Sequence, residues 1–218
     1  MLQFRSLNPV AGFILRVIIW LPVCLAGWYY LAPSLVWPVS LLSDWLLTAL
    51  FPDLIQGVEQ LGDRLDIVTL LPLPAELMKG LQPGSGGDLV FTINPLIYSY
   101  GLPLFTALAI AAPENPSDED IKWRNWLWGL PLLLAAQVWG ICFDVLKTLL
   151  YTLGPEISNQ ISFSSLEKDG VALGYQLGYL IFPSVLPLTI WVVQYRAYLA
   201  DMVWGSPTTF AEPKSDDT

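Results

Sequence analysis

Asp144 and Lys147 stand three residues apart near the end of an otherwise apolar stretch, residues 126–151. A carboxylate and an ammonium at i and i+3 meet on one side of a helix and can neutralise each other there. Gln137, Gly140, Thr148 and Tyr151 recur with them at helical spacing. The polar groups therefore share one face, while Leu133, Val138, Val145 and Leu149 cover much of the rest. Such a face is expected to meet protein, not lipid. Asp144 lies about 27 Å along the axis from Trp126 at 1.5 Å per residue, which puts the pair near an interface instead of the bilayer midplane. Two uses compete for it: a docking or catalytic pair, or a helix end that satisfies itself.

Asn94, Tyr98 and Tyr100 precede another apolar stretch and are expected at the mouth of a second span, beside Asp144, Lys147 and Tyr151. Together with Gln137 they form a candidate face for a partner or ligand, able to grip an extended peptide or a lipid headgroup. Tyrosine belts and a capping Asn are the plainer account. Other chemistry is excluded more firmly. The chain has no histidine, which removes Ser-His and Cys-His catalysis, His-ligated haem and most zinc enzymes. Cys24 and Cys142 both fall inside apolar runs, without C-x-x-C or zinc spacing. There is no phosphate-binding Gly loop, no carboxylate pair in a catalytic context and no clustered Lys and Arg for nucleic acid. We therefore expect no catalysis, no cofactor and no metal.

The elements that must position these residues emerge from composition. Charged residues make up 13% of the 218-residue chain, against about 25% in an ordinary soluble one, and mean hydropathy is +0.53. This predicts an integral membrane protein. Uncharged runs at residues 17–43, 89–113, 125–143 and 170–195 each have room for a span. The expected architecture is all-α, with four transmembrane helices over about 12–31, 95–112, 126–151 and 170–196. The first reads as a retained anchor, because no small-residue cleavage site comes after it. Residues 34–51 are apolar except for a stripe of Ser40, Ser43, Asp44 and Thr48, so an interfacial helix is expected there. A fifth span is disfavoured, since Asp44 would then sit near mid-membrane at a cost of at least about 2.5 kcal/mol.

Residues 55–93 carry strand signals: 57–61, a Gly62-Asp63 turn, then 64–70, with 89–93 as a possible third strand. A small extramembrane hairpin or three-stranded sheet is expected. Residues 157–168 suggest a short surface helix capped at Ser164 or Ser165. In the last span Gly170, Gly174 and Gly178 recur every four residues as a face for close helix packing, and Pro183 and Pro187 predict a kink. The tail 205–218 is expected to be disordered. The net charge of −9 comes mostly from loops and tail, and says little of a partner. Lys122, Arg124 and Arg196 hug span ends, and Lys147 and Lys168 near other ends argue the opposite way; the expected orientation has both termini in the cytoplasm and the hairpin outside.

Three stretches also carry a resemblance: LVFTINPLIYSYGLPLF at 89–105, QVWGICFDVLK at 137–147 and GYQLGYLIFPSVLPLTIW at 174–191. They resemble a bacterial family of exosortase H-associated membrane proteins, over most of the chain. The family-like positions are aromatic, Gly and Pro residues in apolar surroundings, among them Pro95, Gly101, Pro103, Trp139, Gly140 and Pro183. The resemblance implies a multi-pass protein of the inner membrane, in contact with lipid. It also implies an accessory, non-catalytic role beside an exosortase-like integral-membrane enzyme that processes proteins bearing a C-terminal sorting signal. This chain is not expected to be that enzyme. The exosortase chemistry, as the family is understood, needs a Cys thiolate with Arg and His, and Cys142 lies in an apolar helix that disfavours the thiolate. Rival readings are a binding subunit for a lipid or polysaccharide intermediate of envelope assembly, and a membrane enzyme using Asp144 as its base.

Overall fold

The Gly62-Asp63 turn reverses the chain between the first two strands of an antiparallel sheet. In this computed structural model, which describes residues 9–72, 88–112, 119–196 and 199, β1 (Ile55–Leu61), β2 (Arg64–Pro72) and β3 (Asp88–Ile93) pair in the order β1-β2-β3. Gly62 has φ 65° and Asp63 a negative φ, as a turn with Gly first requires. Leu61 pairs with Arg64 and Leu65 with Ile93. Alternation then sorts the faces: Leu65, Ile67, Thr69, Leu89 and Ile93 point inward and are buried. Full burial of a Leu or Ile side chain contributes about 1.5–3 kcal/mol each, which is what holds so small a sheet on the helices. The tail 205–218 and the loop residues 73–87 lie outside the described residues.

Before the sheet come α1 (Pro9–Tyr30) and α2 (Ala32–Leu50), separated by Leu31 alone. Pro33 sits in the first turn of α2, where its missing N–H leaves no bond unmade. The stripe Ser40, Ser43, Asp44 and Thr48, expected to face water, is turned inward for most of its length. Ser40 and Ser43 are buried, and Asp44 Oδ1 accepts the backbone N–H of Val58 at 2.7 Å. The sheet supplies a donor for the carboxylate, so the stripe packs inward together with Val36, Val39 and Leu47, and Trp37, Leu41 and Trp45 are left outward.

Beyond the sheet, Pro95 opens a short helix α3 (Leu96–Ser99), and after it come α4 (Gly101–Ala111), α5 (Glu119–Lys147) and α6 (Pro155–Ser158). The last long helix is built from α7 (Ser165–Gln176), a wider π turn (Leu177–Ile181) and α8 (Phe182–Gln194). A similar π turn, Thr148–Thr152, extends α5. The expected surface helix over 157–168 does not form as a separate unit. Ser164 instead caps α7 in a reciprocal box with Glu167, and the helix runs on without a stopping residue, so the last span begins at Ser165 and not near 170. The π turn lies directly ahead of Pro183, where the ring removes a backbone donor, and the Phe182 N–H reaches back to the Leu177 carbonyl.

Among the described residues, three helices are long and apolar enough to cross a membrane: Val10–Tyr30, Trp123–Thr152 and Ser165–Gln194. The stretch expected as a fourth, Leu96–Ala111, is about 24 Å long, short of the roughly 30 Å of hydrocarbon. The directions are clear from side-chain contacts. Trp28 Nε1 donates to Ser99 Oγ at 3.2 Å near the sheet, while Phe13 and Val17 join Phe105 and Trp191 at the opposite end. Trp126 Nε1 donates to Thr106 Oγ1 at 3.1 Å, and Gln194 Nε2 to the Asn125 carbonyl at 2.8 Å, at that same far end. Hence α1 and α5 run toward the sheet, and α4 and α8 run away from it.

Candidate functional site

Gly140 decides where the polar face of α5 meets its neighbours. A Cβ there would overlap the Tyr98 ring, and a Cβ at Gly178 would lie 2.8 Å from the Gly140 Cα. With hydrogen at both positions, α3 and the last helix close on the same turn of α5. Gly174 extends the contact, facing the Phe143 ring, while its carbonyl accepts from Trp139 Nε1 at 3.0 Å. Gly170, expected on this packing face, has nothing within 4 Å. It sits on the early part of α7, which α5 does not approach so closely.

One turn beyond Gly140 the close approach places Tyr98 against Asp144. The buried Tyr98 phenol faces the Asp144 carboxylate, and so does the Thr148 hydroxyl. Lys147 Nζ stands 3.9 Å from Asp144 Oδ1, with its side chain more exposed than the carboxylate. That separation is beyond a good hydrogen bond, and a partly exposed pair of this kind is worth about 0–1 kcal/mol. The ammonium also lies 4.9 Å from the centroid of the Tyr175 ring, which in turn stacks on Tyr179 at 5.6 Å. The cation is thus shared between a carboxylate and an aromatic face.

Both π turns adjoin this cluster. One begins at Thr148, directly after Lys147, and the other contains Tyr179. Each adds a residue to its turn and so changes the phase of the later part of its helix. Such insertions recur at functional sites.

The face predicted from sequence is therefore brought together in part. Tyr98, Asp144 and Lys147 meet. Tyr100 stands to one side, half-buried, where with Ile97, Tyr179 and Leu180 it lines a cleft of about 410 Å³. Asn94 is spent locally, its Oδ1 accepting the Leu96 N–H at 3.1 Å across Pro95. Gln137 is buried two turns earlier on α5, about 10 Å from Asp144 along the axis. Tyr151 reaches the other way, its hydroxyl donating to the Lys168 carbonyl at 2.8 Å and tying the first π turn to α7. Tyr175 and Tyr179 are the members that sequence reasoning missed. Their i, i+4 spacing inside GYQLGYL was the available signal, obscured because that segment reads first as glycine packing.

Chemically, the cluster offers a carboxylate beside two hydroxyls, a cation next to it and two phenols on an apolar cleft. Cys142 is buried among Val138, Val145 and Leu146, in the core that continues under the sheet. Among the described residues no three His, Cys, Asp or Glu side chains gather as a metal site would require. A family model described as exosortase H-associated membrane protein matches residues 7–198. The description implies association with an exosortase system. No curated protein and no solved structure matches the chain. With the match extending over nearly the whole sequence, from ahead of α1 to beyond α8, the chain belongs to the exosortase H-associated membrane protein family.

Proposed function

We propose that this chain is a non-catalytic accessory protein of an exosortase-type sorting system in the bacterial inner membrane, and that it meets the enzyme through the face bearing Tyr98, Asp144, Lys147 and Tyr175. The observation that carries this reading is the arrangement of Asp144. Its carboxylate faces Tyr98 and Thr148 on the inside, while Lys147 stays partly exposed at the rim of the bundle. Polar groups so placed at the end of a membrane helix offer a partner fixed hydrogen bonds and charge without a nucleophile. The absence of histidine and the burial of Cys142 support a role beside the enzyme and not as the enzyme.

The reading includes four crossings. Since α1 and α5 run in the same direction, a chain that crosses in both must return between them, and α3 with α4 is the helical segment available for it. A locally thinned bilayer would accommodate its length. Arg16, Arg124 and Arg196 lie at the end away from the sheet, which supports both termini in the cytoplasm and the sheet outside.

Recovery of the exosortase partner with the tagged protein tests the proposal. Asp144→Asn keeps shape but leaves Lys147 unbalanced, and should lower recovery about tenfold while the protein stays folded. Cys142→Ala should leave both recovery and processing near normal. Abolished processing in the Cys142→Ala strain, with normal protein level and recovery, would move the chemistry into this chain. The cleft of about 410 Å³ beside Tyr100 favours one second reading, a subunit that binds a lipid-linked intermediate. Unchanged partner recovery with Asp144→Asn, together with lipid copurification lost on Tyr100→Ala, would support that instead.

A further inference from the structure

The outward face of α2 carries a straight apolar ridge. Trp37, Leu41 and Trp45 recur every four residues and so stand in line along the helix; they are 61%, 52% and 67% exposed. The opposite side is buried against the sheet and α5 through Val36, Val39 and Leu47. The single charge of α2, Asp44, is engaged by the Val58 N–H on the sheet side. An uncharged ridge with two tryptophans must be covered by something apolar at one edge and polar at the other.

Position along the chain identifies that cover. α2 leaves the span α1 after one residue, and α1 ends in Tyr29 and Tyr30, both strongly exposed. Amphipathic rings at the end of a span mark headgroup level. Trp37 lies about 9 Å along the helix from Leu31 and Trp45 about 21 Å, so the ridge starts at that level. It is also continuous in chain with the exposed Ile18, Ile19 and Val23 of α1, a surface that meets hydrocarbon in any spanning arrangement. Large indole and Leu side chains at four-residue steps suit lipid better than the small residues that mark a close helix seam.

We propose that α2 lies in the headgroup–acyl boundary of the leaflet on the sheet side, with Trp37, Leu41 and Trp45 inserted into lipid and its polar stripe clamped to β1. The helix then acts as a keel. It holds the sheet at a fixed height on the membrane and, through the core that the sheet shares with Val145 and Leu149, fixes the depth of the Asp144 cluster.

The test uses the full-length protein with Cys24→Ala and Cys142→Ala, reconstituted in nanodiscs of phosphatidylcholine and phosphatidylglycerol. A nitroxide is placed on Leu41→Cys, with Ile18→Cys in α1 and Leu61→Cys on the hairpin as references. Collision with molecular oxygen should exceed collision with a water-soluble nickel chelate at position 41, in a ratio within about twofold of position 18 and several-fold above position 61. A ratio like that of position 61 would mean that the ridge faces water, and protection from both agents would mean that protein covers it; either overturns the proposal. If Leu41→Cys does not fold, the same label on Trp37→Cys and Trp45→Cys decides. Failure of all three to fold would also overturn it, because a lipid-facing ridge tolerates exchange.

Discussion

The two ends of the helix bundle are packed on different principles. Away from the sheet, Phe13, Phe105, Leu108, Leu133, Ile190 and Trp191 fill the space with large side chains, and Phe13 stacks on Trp191 at 5.1 Å. Toward the sheet, glycines at 140, 174 and 178 remove side chains so that rings and backbone come into direct contact, and polar groups collect at the rim. The first end is filled mainly by large side chains, with one close approach where Gly129 makes room for the Phe105 ring. The second is held by close approach, and it positions the residues that could meet a partner. A site that depends on hydroxyl-to-carboxylate geometry needs this kind of packing, because a shift of about one ångström breaks a hydrogen bond but barely alters an apolar contact.

The sharpest separation of the two ends should come from Phe105→Ala, which empties a fully buried ring position. A loss of about 3–5 kcal/mol is expected, read as a large fall in melting temperature in detergent, while recovery of the exosortase partner from protein that remains folded stays normal. Reduced recovery per folded molecule would show that the two ends are coupled. Next in size, Gly178→Ala sets a methyl against the Gly140 backbone, which cannot rotate away, and should cost about 1–3 kcal/mol. Gly170→Ala on the same face meets nothing and should instead stabilise by about 0.5–1 kcal/mol. Equal effects at 170 and 178 would refute the account of the glycine contact. Tyr98→Phe is expected to cost on the order of 1–2 kcal/mol by removing a buried hydroxyl beside Asp144. Its melting temperature should fall less than that of Phe105→Ala, yet partner recovery should fall more, reversing the order of the two ends.

How far the sequence foretold this molecule depended on the range of the interactions involved. The strands were legible to within a few residues, since alternation in 64–70 and 89–93 and the Gly62-Asp63 turn are properties of neighbouring residues. The same holds for the long apolar helices and for the Asp144 and Lys147 pair, which are three residues apart on one helix. By contrast, the destination of the α2 stripe depended on Val58, fourteen positions from Asp44. The spacing alone identified a polar side and an apolar side, but not which of them water would see.

Composition and short-range spacing were enough to establish a membrane protein with a small sheet, a charge pair at the end of its central helix and glycines spaced for close packing. Each of these is set by residue content or by periods of two and about four residues, and so survives without knowledge of distant partners. It took the packed molecule to show that of Asn94, Tyr98 and Tyr100 it is Tyr98 that faces Asp144, that Tyr175 and Tyr179 join the cluster, that Gly170 is idle while Gly178 is not, and that the helix capped by Ser164 runs on into the last span. The two π turns belong with these, since no local propensity requires them. They occur where the two antiparallel helices pack beside the Asp144 cluster, one beginning at Thr148 and the other containing Tyr179.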